Sequence, residues 1–421
     1  MTTDPTATGG TTGATAATTT RDRGEDASAT TGPATAPTTG PDGATRSGAT
    51  AATPTSVPPR TGVRRSWVAP AVVGVVLVVF AGLLPLLNIS VPGVLPGPTY
   101  LPGALGLLAL CFLYAALALS YHLVYGVAGM LSFGHALYFG AGAYGLALLL
   151  KYEIDFAVAI VLVVLGVAVL AHVVGAVSLR VAGVSFAMVT LAFAQAGNVA
   201  VRRGSAITGG EEGLRLETAD VPDLLVGVLN TKHMFWLALA ILVLVYVVVT
   251  WFQSSRAGHV VEATRENETR VRVMGQGPYP IRVLTFGLAG VLAAIVGMAY
   301  VLLQSTATPH TTSADMTISV LIMVVLGGVG SRWGAITGAI VYTLLVSRLS
   351  TLAATESIQS LPAWLEIPLS EPNFILGALF ILVVLFTPGG IAGGLTRLWA
   401  RLTGRRTGGA RASRARLEDV A

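Results

Sequence analysis

The chain has 421 residues, 53% of them hydrophobic and only 11% charged, with a formal net charge of +5 and a mean hydropathy of +0.73. A soluble domain carries about 25% charged residues, so this composition excludes a soluble enzyme and points to an integral membrane protein. All but two of the 26 basic residues are Arg. They cluster in the N-terminal segment, one central loop and the C-terminal tail, the distribution of cytoplasm-facing loops. No folded basic face for nucleic acid is visible. The single cysteine, Cys111, excludes an internal disulfide and any Cys-based metal cluster.

Residues 1–63 are mostly Thr, Ala, Pro and Gly. Such a segment cannot bury enough apolar area to offset its chain entropy, so a disordered tail is expected. Arg60, Arg64 and Arg65 precede the first apolar run at Val68, which places that tail in the cytoplasm. About ten membrane segments follow, near 68–87, 103–122, 129–150, 157–178, 184–200, 233–252, 283–303, 316–329, 334–349 and 373–387. The expected fold is an all-α polytopic bundle over residues 64–395, followed by a basic cytoplasmic tail at 396–421. An even count puts both termini inside, together with the loop 253–282, Arg180 and Arg332. The expected outer loops 151–156, 304–315 and 350–372 carry Lys151 and no Arg. Arg202, Arg203, Arg215 and Lys232 in the outer loop 201–232 run against this pattern.

Four stretches stand out. LSFGHALYFGAGAYG, residues 131–145, places Ser132, Phe133, Gly134, His135, Tyr138, Gly142 and Tyr144 inside an apolar segment. On a continuous helix Ser132, His135, Phe139 and Gly142 share one face. Ala136–Gly140 and Ala141–Gly145 have the small-xxx-small spacing that lets helices approach closely in lipid. An ionisable ring at membrane depth should face protein or water, so this face either lines a translocation path or packs helices. TGGEEGL, with Thr208, Gly209, Gly210 and Gly213, is a simple turn, a contact for an external partner, or a gate at the outer mouth. The third stretch is the central loop, where Val260 to Met274 reads as one helix that stops at Gly275 and Gly277. There Glu266–Arg270 and Glu268–Arg272 are favourable i,i+4 pairs. That helix is either a solvated connector or a docking element. Fourth, Gly327, Gly328 and Gly330 permit a sharp break or close backbone passage.

Several chemistries lack their residues. A P-loop needs Gly-x-x-x-x-Gly-Lys-Ser/Thr, but Lys151 is followed by Tyr152 and Lys232 by His233. No His-Glu-x-x-His is present, against a zinc protease. A Ser331–His135 protease pair is disfavoured by Arg332 and by the expected cytoplasmic turn. Asp and Glu are absent from the apolar cores, which tilts against an ion-coupled carrier.

The order of motifs resembles the branched-chain amino-acid ABC transporter permease family, LivM type. The matching stretches are GVAGMLSFGHALYFGAGAY (126–144), LRVAGVSFAMVTLAFAQ (179–195), TGGEEGL (208–214), SRAGHVVEATRENETRVRVMG (255–275), FGLAGVLAAIVGMAY (286–300), VLGGVGSRWGAITGA (325–339) and LFTPGGIAGGL (385–395). The resemblance implies a multi-pass permease subunit in a bacterial cell membrane, in a type II ABC-importer-like fold of about ten helices. It implies branched-chain amino acids as solute, with urea, amides or another small solute as the alternative; an ion-coupled secondary carrier is the rival reading. The implied partners are a LivH-type second permease, two cytoplasmic ABC ATPases that hold ATP and Mg, and an extracytoplasmic solute-binding protein. No cofactor is implied in this chain. The resemblance makes Arg265, Glu266, Asn267, Glu268, Met274 and Gly275 the ATPase-coupling element.

Overall fold

The computed structural model describes residues 68–87, 96–225, 230–353, 372–386, 389–391 and 393–394. The expected tails at 1–63 and 396–421 lie outside these residues, as does most of the loop 350–372. Each of the ten expected membrane segments holds a helix. In chain order these are α1 (Val68–Leu83), α2 (Pro102–His122), α3 (His135–Lys151), α4 (Phe156–Ser178), α5 (Val184–Arg203), α7 (Thr231–Ser254), α10 (Pro278–Gln304), α11 (Ala314–Gly327), α12 (Arg332–Ala353) and α13 (Pro372–Phe386). Three short α-helices lie between them among the described residues, α6 (Ser205–Thr208), α8 (Arg256–Glu266) and α9 (Glu268–Val273). The one β element among the described residues is a ribbon of β1 (Leu214–Arg215) and β2 (Thr306–Ala307), with Leu214 opposite Ala307.

The expected segments are not all alike. Five helices are long and apolar enough to cross a membrane: α2 extended to Val127, α4, α5, α7 and α10. α11 and α12 are not independent crossings of the same kind. They form one bent pair, turned by 119° at the break between Gly327 and Arg332. At ~1.5 Å per residue α11 is about 21 Å long, short of a ~30 Å hydrocarbon core. α1, α3 and α13 have 16, 17 and 15 described residues.

Local chemistry sets several helix ends. Pro102 and Pro278 open α2 and α10, where the missing N–H costs nothing. Asp155 caps α4 by accepting from the amides of Ala157 at 2.9 Å and Val158 at 3.2 Å. Ser313 caps α11 through the Met316 amide at 3.2 Å. The Ser313 cap satisfies a buried donor, and the Asp155 cap an exposed one.

α2, α3 and α10 form the centre, and α4 shows the outside. On α4, Ala159, Val163, Val167, Ala171 and Val174 are buried while Val158, Val161, Leu165, Val169, Val173 and Val177 are exposed. A helix apolar on both faces, with one face uncovered, is what a lipid boundary requires. In the centre, packing runs backbone to backbone. A Cβ on Gly142 of α3 would overlap the Ala294 carbonyl of α10, and a Cβ on Gly297 of α10 would overlap the Phe139 carbonyl of α3. Tyr138 meets Phe286 edge-on at 5.7 Å, and Phe139 meets Tyr300 at 5.2 Å. Lipid tails are as apolar as Leu, so close contact of this kind holds helices together in a bilayer.

Gly142→Ala should lower the thermal midpoint of the detergent-purified chain by the equivalent of about 1–3 kcal/mol of overpacking. Gly166→Ala on α4, where an added methyl would meet nothing within 4 Å, should leave the midpoint within a degree or two, a difference worth only tenths of a kcal/mol.

Candidate functional site

α2 does not end at His122 in an ordinary way. It widens into a π-helical turn at Leu123–Val127, a form that is rare and concentrated at functional sites. Gly129 then takes a left-handed φ of 69°, and the chain runs irregularly to Gly134. α3 begins only at His135, six residues after the expected start at 129. Ser132 therefore does not share a helical face with His135, Phe139 and Gly142. The reason lies in the local polar groups. Ser132 Oγ accepts from the Gly134 amide at 3.2 Å, and Thr190 Oγ1 on α5 accepts from the Phe133 amide at 3.1 Å. Thr317 Oγ1 on α11 accepts from the Ala136 amide at 3.0 Å. Backbone donors freed by the break are thus taken up by side chains of other helices, as a low-dielectric interior requires.

His135 sits in this polar knot. Its Nε2 lies 2.8 Å from Ser120 Oγ, and Ser120 itself donates to the Leu117 carbonyl at 2.7 Å. With the Ser120 proton committed, the imidazole donates through Nε2–H. Tyr121 meets the His135 ring edge-on at 5.2 Å and donates to the Ser132 carbonyl at 3.0 Å. Ser132, Gly134, His135, Tyr138, Gly142 and Tyr144 are all buried, and Phe133 is half-buried. In this conformation these residues lie against neighbouring helices. The hydroxyls of Tyr138 and Tyr144 are buried without a hydrogen-bond partner among the described residues.

The loop 201–232 is built rather than slack. Thr208 donates from Oγ1 to the carbonyls of Val201 at 2.6 Å and Gly204 at 2.9 Å. Gly209, Gly210 and Gly213 all take positive φ, and a Cβ on Gly213 would overlap the Ala307 carbonyl of β2. Arg202 pairs with Glu211 at 3.2 Å. Asn198 on α5 donates from Nδ2 to the Pro309 carbonyl at 2.9 Å and to Thr312 Oγ1 at 2.8 Å. Of the expected break glycines, Gly327 and Gly328 abut backbone closely, Gly327 against Gly334 and Gly328 against Gly389, whereas Gly330 faces open space. Arg332 beyond them reaches Thr250 Oγ1 at 2.8 Å and covers the Tyr246 ring at 5.7 Å.

The central loop departs from a single helix. α8 stops at Glu266, Asn267 is extended at φ −158° and ψ 101°, and α9 restarts at Glu268. Asn267 Oδ1 accepts from the Arg270 amide at 2.9 Å, so this residue acts as an N-cap in the middle of the expected helix. The break leaves the Glu266–Arg270 spacing off any common helix, whereas Glu268 meets Arg272 and also Arg282 of α10 at 2.8 Å. Partial burial alone would push the Glu268 carboxyl up, but Arg282 and Arg272 together outweigh it and hold the group below its usual range. The sign follows: the pairing is present above the ordinary carboxylate pKa and is lost as pH falls through the lower folded value. The helix stop at Gly275 is as expected, with φ 78° and the Schellman pair Gly275 N–H to Arg272 O at 2.9 Å and Gln276 N–H to Val271 O at 3.3 Å. Val273 and Met274 are exposed by 83% and 64%, the most uncovered apolar side chains at this end of the loop. Arg265, exposed over much of its length, donates from Nη1 to the Gly126 carbonyl in the π turn.

Thr190, Thr317, Ser120 and Asn198 were missed in the sequence because a lone hydroxyl or amide in an apolar run looks like any other. Among the described residues no group of three His, Cys, Asp or Glu could hold a metal ion.

Comparison with known proteins bears on this frame. The model of the family described as branched-chain amino acid transport system / permease component matches residues 103–384. The high-affinity branched-chain amino acid transport system permease protein LivM of Escherichia coli is 28% identical over 269 residues, 58% of this chain and 63% of that protein. The probable branched-chain amino acid transport permease protein LivM of Methanocaldococcus jannaschii is 27% identical over 190 residues, 44% of this chain and 53% of that protein. The autoinducer 2 import system permease protein LsrC of Yersinia pseudotuberculosis is 28% identical over 186 residues, 43% of this chain and 48% of that protein. The chain spans less than two thirds of the length of each of these relatives. No solved structure matches it. The family match runs from the start of α2 to the last turn of α13 and takes in the broken helix, the loop 201–232 and the split loop helices, so the chain belongs to the branched-chain amino acid transport permease family.

Proposed function

We propose that this chain is the membrane-embedded permease subunit of an ATP-driven ABC importer, with branched-chain amino acids as its solute. The observation that carries the proposal is the family match over 103–384, supported by relatives named for branched-chain amino acid transport. The relative named for autoinducer 2 import supports the alternative of another small polar solute on the same scaffold. The sequence carries no P-loop, so two separate cytoplasmic ATPases would bind ATP and Mg. A LivH-type permease would complete the pore, and an extracytoplasmic solute-binding protein would deliver the solute. In this arrangement both termini and the loop 253–282 face the cytoplasm of a bacterial cell.

The physical division of labour follows from the geometry. Glu266, Asn267, Glu268, Met274 and Gly275, with Val273, form an exposed, mixed apolar and charged tip suited to a groove on another protein. The tip is not free to swing, because Glu268 ties it to Arg282 at the foot of α10. ATP-driven closure of the partner subunits would move this tip and bias the bundle between outward- and inward-open states. The outer loop around Thr208–Gly213, locked to β2, is the surface for the solute-binding protein. Ser132, Phe133, Gly134, His135, Tyr138, Gly142 and Tyr144 hold the broken helix together while it moves. Gly327, Gly328 and Gly330 let the α11–α12 bend pass close to its neighbours.

Double charge reversal, Glu266→Lys with Glu268→Lys, should cut ATP-dependent leucine uptake in reconstituted vesicles by about tenfold or more, the effect of ~1.4 kcal/mol of docking energy, while the protein still inserts. Retained uptake and retained ATPase co-purification would remove the tip as docking element. His135→Ala should lower folded yield, since it removes a buried ring and leaves a cavity at a cost of ~2–5 kcal/mol, yet the folded fraction should keep the wild-type solute preference. A changed preference in a competition assay would place His135 on the path instead.

A further inference from the structure

Three interruptions of regular structure meet at one residue, Gly126. It lies in the π turn at the end of α2. Its carbonyl accepts from Arg265 Nη1 of α8, across 139 positions of sequence. A Cβ at Gly126 would stand 2.6 Å from the carbonyl oxygen of Val329, in the bend between α11 and α12, and would overlap the His122 ring. On the next turn of chain, a Cβ at Gly129 would stand 2.8 Å from Arg265 Cγ, so the arginine stem lies directly on the left-handed residue that redirects the chain toward α3.

The chemistry explains the contact. Carbonyls at a helix C-terminus lack intrahelical partners and carry the negative end of the helix dipole. A π turn adds to that deficit by shifting the bonding register. Guanidinium is the side chain best able to satisfy such a carbonyl, because it stays charged and offers several donors in a fixed plane. Asn267 two residues on ends α8, so α8 carries Arg265 at its last turn as a short rigid arm, separate from the exposed tip on α9.

We propose that Arg265 is a coupling latch that transmits movement of the loop helices to the π turn of α2, and is not itself a contact for the ATPase. The proposal rests on the importer reading above. α8 displaces the Gly126 carbonyl, the π turn passes the shift to the irregular segment 128–134 on one side and to the Val329 bend on the other, and the bundle changes state. Arg265 is therefore a positioning residue, and its loss separates ATP hydrolysis from transport.

The test uses Arg265→Gln, Arg265→Lys and Gly129→Ala in the full complex reconstituted in vesicles. Arg265→Gln should leave ATPase co-purification intact and hydrolysis within about twofold, while solute taken up per ATP falls at least about fivefold, the lower end of ordinary coupling energies. Arg265→Lys, which keeps the charge, should restore part of the ratio, and Gly129→Ala, which pushes the stem away, should reproduce the loss. In parallel, amide hydrogen exchange on the purified chain alone should rise across 123–134 in Arg265→Gln. Loss of ATPase co-purification in Arg265→Gln, an unchanged uptake-to-ATP ratio, or unchanged exchange across 123–134 overturns the latch. Absence of ATP-dependent uptake in the wild type overturns the importer reading instead, and the exchange measurement on the isolated chain still decides whether Arg265 holds the turn.

Discussion

Contact between α3 and α10 at the level of the backbone is the constraint on which the rest of the structure depends. Gly142 and Gly297 each receive a carbonyl from the facing helix in the space a methyl would fill. Hydrophobic burial cannot drive this association inside a bilayer, so dispersion contacts at the shortest possible range must supply it. Once these two helices are locked, Tyr138, Phe139, Phe286 and Tyr300 have fixed neighbours, and α2 and α4 pack on the outside of the pair. Gly142 and Gly297 allow this close approach of the two helices.

A second constraint concerns broken backbone. Irregular chain at membrane depth survives only where protein supplies hydrogen-bond partners. At 133–136 those partners come from Ser132 itself, Thr190 and Thr317, three different parts of the chain. The segment can therefore be irregular and still ordered. His135 belongs to this accounting: Ser120 meets its Nε2 and Tyr121 packs on its ring. Its presence in an apolar stretch needs no catalytic role.

Helix positions were legible in the sequence because long apolar runs can be little else in this composition. Their interruptions were not. The start of α3 at His135 depends on Thr190 and Thr317, which no local pattern links to residue 133 or 136. The split at Asn267 did carry a local signal, an Asn able to cap three residues ahead of Arg270, but the strong helix formers on both sides masked it. Gly275 was legible because a glycine after a charged helical run has one common use. The contact of Arg265 was not, since its partner is a main-chain oxygen 139 positions away. The outer loop glycines were legible as turns but not as the seat of a β ribbon.

α10 is also a ruler. From Val283 to Leu303 its apolar stretch measures about 32 Å at ~1.5 Å per residue, close to the ~30 Å hydrocarbon thickness of a typical bilayer. One end is held by Arg282 on Glu268, and the other by the left-handed turn at Ser305, φ 56°, that leads into β2. Backbone contact with α3 removes the freedom to tilt by which single helices adapt to thicker or thinner membranes. Any mismatch therefore falls on the lipid, which must stretch or thin around the protein.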